Sequence, residues 1–225
     1  MSRIASSLRK SIDRRMVAAV AASGLAVCVL IAGPLVLGQR PTHRFLLWNL
    51  ALAWIPFVAA LALERLDAAR RTRHVATLLV AGVWLVFLPN APYLVSDLSH
   101  FDNTSATPWL DLARLVSFAW AGCLLAVLSL QIVHGLVARL AGAFGAWAVV
   151  VAAALGSGFG VALGRFSRLN SWQLVTHPRV VVSETARLLA SERRLAVALF
   201  FGLLLLTMYA AVAPAQRHGR TGASA

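Results

Sequence analysis

Charge is scarce in this chain, and lysine scarcer still. Of 225 residues only 13% are charged, and Lys10 is the sole lysine beside twenty arginines. Soluble domains carry roughly a quarter charged and about 45–50% apolar residues. Here 60% are hydrophobic, which excludes an ordinary water-soluble domain and implies a lipid solvent. Carboxylates number eight, leaving a net charge of +13. Nucleic acid is the usual partner of so basic a chain. The arginines, however, stand between long apolar runs and not along one soluble face. Nucleic acid is therefore set aside, and a bilayer with anionic headgroups is the implied partner. The two cysteines, Cys28 and Cys123, lie in the middle of apolar runs. With no CxxC, no His-rich spacing and no HExxH, a disulfide framework or a zinc-protease site is excluded. Both thiols are expected to be buried and inert, and no motif specifies a cofactor.

What the chain has in quantity is runs of about 20 apolar residues, the length that crosses a ~30 Å hydrocarbon layer as helix. Six candidates occur, at about 17–37, 45–63, 75–96, 114–137, 141–163 and 195–213. Only helices satisfy their own backbone in lipid, so the fold class is an all-α, polytopic membrane helix bundle. The expected organisation is a basic cytoplasmic N-terminus over 1–16, one bundle domain over 17–213 and a disordered tail over 214–225. The basic start followed by an apolar run imitates a signal peptide. Its uncharged stretch from Met16 to Gln39 is too long for one, so a retained first span is expected. The face carrying the N-terminus holds 12 Arg and Lys against nine on the other, which are Arg40, Arg44, Arg114 and six within 165–194. The margin favours the N-terminus inside, in a bacterial plasma membrane. Oligomeric state is not legible.

Two polar strings interrupt this oily pattern. One runs Leu88-Pro89-Asn90-Ala91-Pro92-Tyr93-Leu94-Val95-Ser96-Asp97-Leu98-Ser99-His100, the other Gly164-Arg165-Phe166-Ser167-Arg168-Leu169-Asn170-Ser171-Trp172. One crossing and its return separate them, so both surface on the same side, as one composite site over 97–102 and 165–172. Pro89 and Pro92 each remove a backbone donor and clash with the preceding turn. They predict a break in the third span, with Asn90 as N-cap and Pro92 in the first turn of a new helix. On that helix Tyr93, Asp97 and His100 share one face. Asp97 and His100 are the candidate acid/base pair. With Asp102 they are the only plausible metal ligands, should there be a metal. The same three are equally read as solvated groups at a helix exit. Asp111, after Thr107-Pro108, reads as a first-turn carboxylate complementing a helix dipole.

In the second string Ala148, Ala152, Gly156, Gly160 and Gly164 recur every four residues, a stripe that lets another helix approach closely. A phosphate loop would need a preceding strand, and none is plausible. Arg165 and Arg168 offer forks for a carboxylate or phosphate. Their target is either the facing carboxylates or an anionic ligand. Asn90, Tyr93, Asn170 and Trp172 complete the substrate-binding candidates, Trp172 with Trp48 and Trp109 also reading as interface anchors. Residues 179–194 predict a short amphipathic helix lying in the interface. Asn49, Gln131 and His134 read as interhelical hydrogen-bond partners.

The Leu-Pro-Asn-Ala-Pro-Tyr stretch with Asp97 and His100, joined by Gly164-Arg165-Phe166, Arg168 and Asn170-Ser171-Trp172, resembles a bacterial integral-membrane family. That family is catalogued as domain of unknown function 1361, and the resemblance spans about residues 45–213. It implies a multi-span membrane protein and no activity. It also implies an acidic residue after the Asn-Ser-Trp triplet, where this chain has Gln173. Three functions remain open. The first is binding or processing of an anionic or lipid-linked substrate at the extracytoplasmic face. The second is a small transporter whose path passes Pro89 and continues toward Gln131 and His134. The third is a structural or assembly subunit locked by its polar strings. Span parity makes the first test. In a background free of Cys28 and Cys123, thiol reagents should label Asp102→Cys and Asn170→Cys from the same compartment. Labelling from opposite compartments would dissolve the composite site.

Overall fold

Proline and glycine positions, more than helix propensity, set where this chain bends. The computed structural model describes residues 2–37, 43–68 and 74–213. Among the described residues every regular element is helical. In order these are α1 (Ser2–Leu37), α2 (Phe45–Ala68), α3 (His74–Phe87) and α4 (Asn90–Ser96), which leads into a 3-10 turn (Asp97–His100). Then follow α5 (Pro108–Ser167), the single-turn α6 (Gln173–Thr176), α7 (Pro178–Leu189) and α8 (Glu192–Val212). Five segments are long and apolar enough to cross a membrane: Asp13–Ala32, Phe45–Asp67, Val75–His100, Pro108–Ser167 and Glu192–Val212. The basic N-terminal stretch, expected as a separate segment, is already helical from Ser2 and continuous with the first span. The expected tail over 214–225 lies outside the described residues.

The 60-residue α5 holds both the fourth and the fifth expected span. At ~1.5 Å per residue it would stretch roughly 90 Å if straight, about three hydrocarbon layers. It is not straight. Gly142 sits at φ 74°, ψ 178°, a conformation open to glycine and strained for any residue with a Cβ. His134 and Trp147, 13 positions apart, would lie about 20 Å apart along a straight helix. Their rings are 5.2 Å apart. The chain therefore doubles back at Gly142, giving α5 two antiparallel limbs and the bundle its six crossings.

The break in the third span falls where the prolines predict it, between Phe87 and Asn90. Its chemistry differs from expectation. Asn90 is the first residue of α4 and not an oxygen-donating cap. Its Nδ2 donates backward to the Phe87 carbonyl at 2.9 Å, filling an acceptor that the interrupted ladder leaves open. Pro89 keeps helical angles (φ −59°, ψ −24°), so the segment steps and does not unwind.

The α5 helix packs against α1, α2, α4, α7 and α8. Its first limb buries Phe118, Leu125 and Leu130 against Phe57 of α2 and Leu88 and Leu94 at the step. Gly122 lies against the Ala91 carbonyl, and Gly158 against Ala198 and Gly202 of α8, contacts that leave no room for a Cβ. Such close approach is how helices associate where lipid supplies no hydrophobic drive. Ser129, fully buried, links three helices: it accepts from Trp84 Nε1 at 2.7 Å and donates to the Pro56 carbonyl at 3.3 Å. Outward faces stay apolar, with Leu25, Trp48, Leu79, Trp120 and Leu203 exposed. A bundle bathed in lipid needs that surface; a soluble one would aggregate through it. Cys123 is buried as expected, but Cys28 is exposed on the outer face of α1; both are free.

Gly142 makes the hairpin testable. A Cβ there meets nothing within 4 Å, so Gly142→Ala adds strain alone. It should cost about 1–3 kcal/mol in detergent-solubilised protein. Gly24→Ala, equally uncrowded but helical, should be neutral or slightly stabilising. Equal melting temperatures for the two variants would refute the reversal.

Candidate functional site

The two polar strings meet. Asn90 Nδ2, besides capping Phe87, donates to Ser171 Oγ at 2.7 Å across 81 positions of sequence. Arg165 Nη1 lies 3.7 Å from Asp97 Oδ1. The seam between them is closed by glycines of the second limb of α5. A Cβ at Gly160 would sit 2.5 Å from Pro89, and one at Gly164 3.0 Å from the Tyr93 ring. Those two members of the small-residue stripe therefore seat the step in the third span. Gly156 meets nothing within 4 Å and opens onto a cavity instead. Ala148 and Ala152, the remaining two, are exposed.

Asp97 is 1% exposed at the start of the 3-10 turn. Asn49 Nδ2 from α2 donates to its Oδ2 at 2.8 Å, as an interhelical partner. His100 Nδ1 stands 3.8 Å from Oδ1 and 3.1 Å from the Asp97 carbonyl oxygen. The His100 side chain is 43% exposed, and its ring packs on Phe45, centroids 4.9 Å apart. A carboxylate out of water survives only when paired and hydrogen-bonded. Arg165, Asn49 and His100 together meet that requirement. Asp102 does not join them. It is exposed and accepts from Thr104 N at 2.9 Å and Thr104 Oγ1 at 2.7 Å. Those bonds, the hydroxyl first, hold its carboxyl below the ordinary carboxylate range. The trio weighed as metal ligands is thus not assembled, and among the described residues no three His, Cys, Asp or Glu converge.

The second string ends α5 with Arg168 in the left-handed region, φ 53°, ψ 31°, its N–H reaching the Leu163 carbonyl. That turn costs a non-glycine residue about 1–2 kcal/mol. It swings residues 168–171 across the end of the bundle. Asn170 N donates to Gln173 Oε1 at 2.6 Å, closing a reciprocal cap with the Gln173 N to Asn170 O bond at 2.9 Å. The position where the family resemblance implies a carboxylate thus serves here as an acceptor, a role the amide oxygen fulfils. Ser167 Oγ donates to Glu184 Oε2 at 2.7 Å, and Arg187 and Arg194 pair with the same carboxylate. The Ser167 bond first, with help from Arg187 and Arg194, keeps the Glu184 carboxyl below its usual range against the opposing effect of desolvation. These contacts tie α7 to the ends of α5 and α8. The amphipathic helix predicted over 179–194 is α7, with Leu188 buried and Val182 and Leu189 exposed.

Between these parts lies a cavity of about 520 Å³, bounded by α2, the step at Pro89, α4, the second limb of α5, residues 168–171 and α7. Its lining mixes two kinds of group. Leu52, Val86, Phe159 and Leu163 are apolar, and Asn49, Asn90, Tyr93, Arg168, Asn170 and Ser171 are polar. Arg168 is the cation among the lining residues, and no carboxylate accompanies it. Unlike Arg165, it makes no ion pair among the described residues. Of the expected site residues, Asn90, Tyr93, Arg168 and Asn170 line the cavity. Asp97, His100 and Arg165 form the node beside it. Trp172 lies outside the lining, 38% exposed, immediately before α6. Ser171 and Asn49 line it without having been singled out as ligand contacts. Asn49 had a signal, an amide inside an apolar span; Ser171 had none beyond its neighbours.

A second buried node was missed altogether. Arg114, counted from sequence as a loop cation, is 1% exposed. Its Nη1 donates to Asp111 Oδ1 at 2.6 Å, while Ser105 Oγ donates to Asp111 Oδ2 at 2.7 Å and His43 Nδ1 stands at 3.8 Å. Asp111 does lie in the first turn of α5, but its work is to neutralise Arg114. The i, i+3 spacing of two opposite charges at a span's start was the available clue.

Comparison with known proteins adds a family and nothing further. A family model described as a protein of unknown function (DUF1361) matches residues 48–208. No curated protein and no solved structure matches the chain.

The node and the cavity separate by mutation. Asp97→Asn and Arg165→Ala should each destabilise the fold and, combined in a double-mutant cycle, show coupling of about 0.5–3 kcal/mol. Arg168→Gly should leave stability within about 1 kcal/mol, because glycine relieves the left-handed turn while loosening the unfolded chain. Additive losses at 97 and 165, read from melting curves, would deny the node.

Proposed function

The chain belongs to the DUF1361 family of unknown function, and from that premise we propose that its cavity binds an amphiphile with an anionic headgroup at one membrane face. The supporting observation is the contrast between two arginines three residues apart. Arg165 is spent on Asp97. Arg168 lines the cavity with no carboxylate beside it. Arg168 is exposed at the end of α5 and not neutralised among the described residues, so its fork is free to meet an anion entering the cavity. The neighbouring groups suit the same ligand. Ser171 Oγ accepts from Asn90, so its own proton is left to donate. Tyr93 Oη makes no hydrogen bond among the described residues and lines the cavity too. The lining also carries apolar side chains, and the volume matches a headgroup with its first methylenes, not a whole lipid.

In this reading Asn90, Tyr93, Arg168 and Asn170 contact ligand, with Ser171 and Asn49 added. Arg165, Asp97 and His100 hold the wall in place. Asp97 and His100 are thus positioning groups, and the site is one of binding, with any processing carried by groups that reach the cavity. The transporter reading is less well supported: Gln131 and His134 line a separate cavity, and among the described residues the two cavities share no lining residue. The reading carries with it a bacterial plasma membrane whose anionic headgroups surround the bundle, the N-terminus cytoplasmic and the cavity extracytoplasmic. Burial of Arg114 favours that orientation, since it removes a cation from the loops counted on the cavity's side.

Dodecyl phosphate in neutral detergent provides the test. At about a hundredfold excess over its Kd it should stabilise the protein by ~2.7 kcal/mol. Dodecyltrimethylammonium should do nothing, and Arg168→Ala should abolish the phosphate effect at unchanged basal stability. A shift that persists in Arg168→Ala, or that the cationic amphiphile reproduces, would overturn the proposal.

A further inference from the structure

The bundle has a second polar cavity, about 470 Å³, and it lies at the other end. Arg15, Gln131, His134, Trp147 and Tyr209 line it, with Val212 at the end of α8. His134 follows Pro108 by 26 positions, about 39 Å along the first limb of α5. Val212 follows Glu192 by 20, about 30 Å along α8. Glu192 begins α8 at the first cavity's end, where Arg194 meets Glu184 and Glu184 meets Ser167. Pro108 begins α5 at the same end, since Asp111 lies by His43, which packs with Phe45 beside His100. The two cavities are therefore a hydrocarbon thickness apart.

We propose that this second cavity is a separate binding site for an oxyanion, at the face opposite the first. Its cation is Arg15. The nearest carboxylate oxygen, Glu64 Oε1, lies at 3.6 Å, an ion-pair distance but too long for a hydrogen bond. Arg15 Nη1 is buried without a hydrogen-bond partner, and so is Glu64 Oε2, on a side chain 91% buried. The guanidinium thus reaches the cavity with most of its five donors uncommitted. No carboxylate lines the cavity. Gln131 Nε2 spends one hydrogen on the Val212 carbonyl at 3.2 Å and keeps the other.

The far wall is rigid. Tyr209 Oη and His134 Nδ1 share a hydrogen bond of 2.6 Å. The rings of His134, Trp147 and Tyr209 pack pairwise at 5.2 to 5.7 Å. Such a trio alone would suit a quaternary ammonium. Arg15 at the same cavity reverses that preference and selects the anion. Phosphate chemistry fits the fork, and it has two sources here: a lipid headgroup from the adjacent leaflet or a soluble phosphate. The first cavity serves only to locate this one; the choice of an oxyanion uses neither Arg168 nor any residue lining the first cavity, so the two binding readings stand or fall separately.

Trp147 supplies the reporter. Full-length protein carrying 5-fluorotryptophan is placed in phosphatidylcholine nanodiscs, and the Trp147 fluorine resonance is assigned with Trp147→Phe. One arm adds inorganic phosphate; the other replaces phosphatidylcholine with phosphatidylglycerol. The resonance should move in at least one arm. Movement with phosphate identifies a soluble ligand, and movement with phosphatidylglycerol alone identifies a headgroup. Arg15→Gln should weaken the response roughly tenfold or more, while Arg168→Ala leaves it intact. Ala138→Leu fills the cavity without altering charge and should abolish the response even if Arg15→Gln fails to fold. An unmoved resonance in both arms, or one that moves equally in the Ala138→Leu protein, overturns the inference.

Discussion

A single buried carboxylate organises one end of this bundle. Asp97 is almost wholly inaccessible, and a charge in that position is tolerated only with opposite charge and donors close by. Asn49 brings α2, Arg165 brings the exit of α5, and His100 brings the turn that follows α4. Three segments distant in sequence are therefore fixed around one group. The step at Pro89 and the glycines at 160 and 164 are the steric side of the same arrangement, since a Cβ at either glycine would push the segments apart.

That constraint explains why neighbouring residues of one motif have unlike roles. Arg165 is drawn inward to Asp97, and the left-handed turn at Arg168 carries the next cation toward the cavity. The strain of that turn is local, while the reciprocal Asn170–Gln173 cap stabilises the loop beyond it. The Ser167–Glu184 contact then lays α7 along the cavity, with Val181 and Thr185 on the lining side and apolar residues facing outward. At the other end of the bundle the arrangement is different in kind: an aromatic trio forms the wall, and a loosely paired arginine supplies the charge.

Much of this was legible from residue order. Apolar run lengths located the spans, the prolines located the break, and counting crossings brought residues 88–100 and 164–172 to one end. The hydrogen bond between Asn90 and Ser171 and the Asp97–Arg165 pair bear out that meeting. The errors share a cause. Asn90 was expected to accept as a cap and instead donates to Phe87. Arg114 was counted as a loop cation and lies buried against Asp111. Trp172, a binding candidate, lies outside the cavity lining, and Cys28 was expected inside and is exposed. Each error concerns the direction in which a correctly placed residue points.

Hydropathy and chain stiffness are local properties, so the sequence by itself determined that this is an all-helical, membrane-length bundle, where it bends, and which polar strings emerge together. Direction is not local. Whether an arginine meets a carboxylate or an open cavity depends on segments about 50 to 70 positions away, through Asn49, Asp97 and Arg165, and on where a missing Cβ lets them approach. Only the tertiary structure decided that Arg165 would be neutralised, Arg168 left to face the cavity, and Arg15 left half-paired at the far end. A single ångström of separation changes a pairing energy that no reading of neighbours along the chain contains.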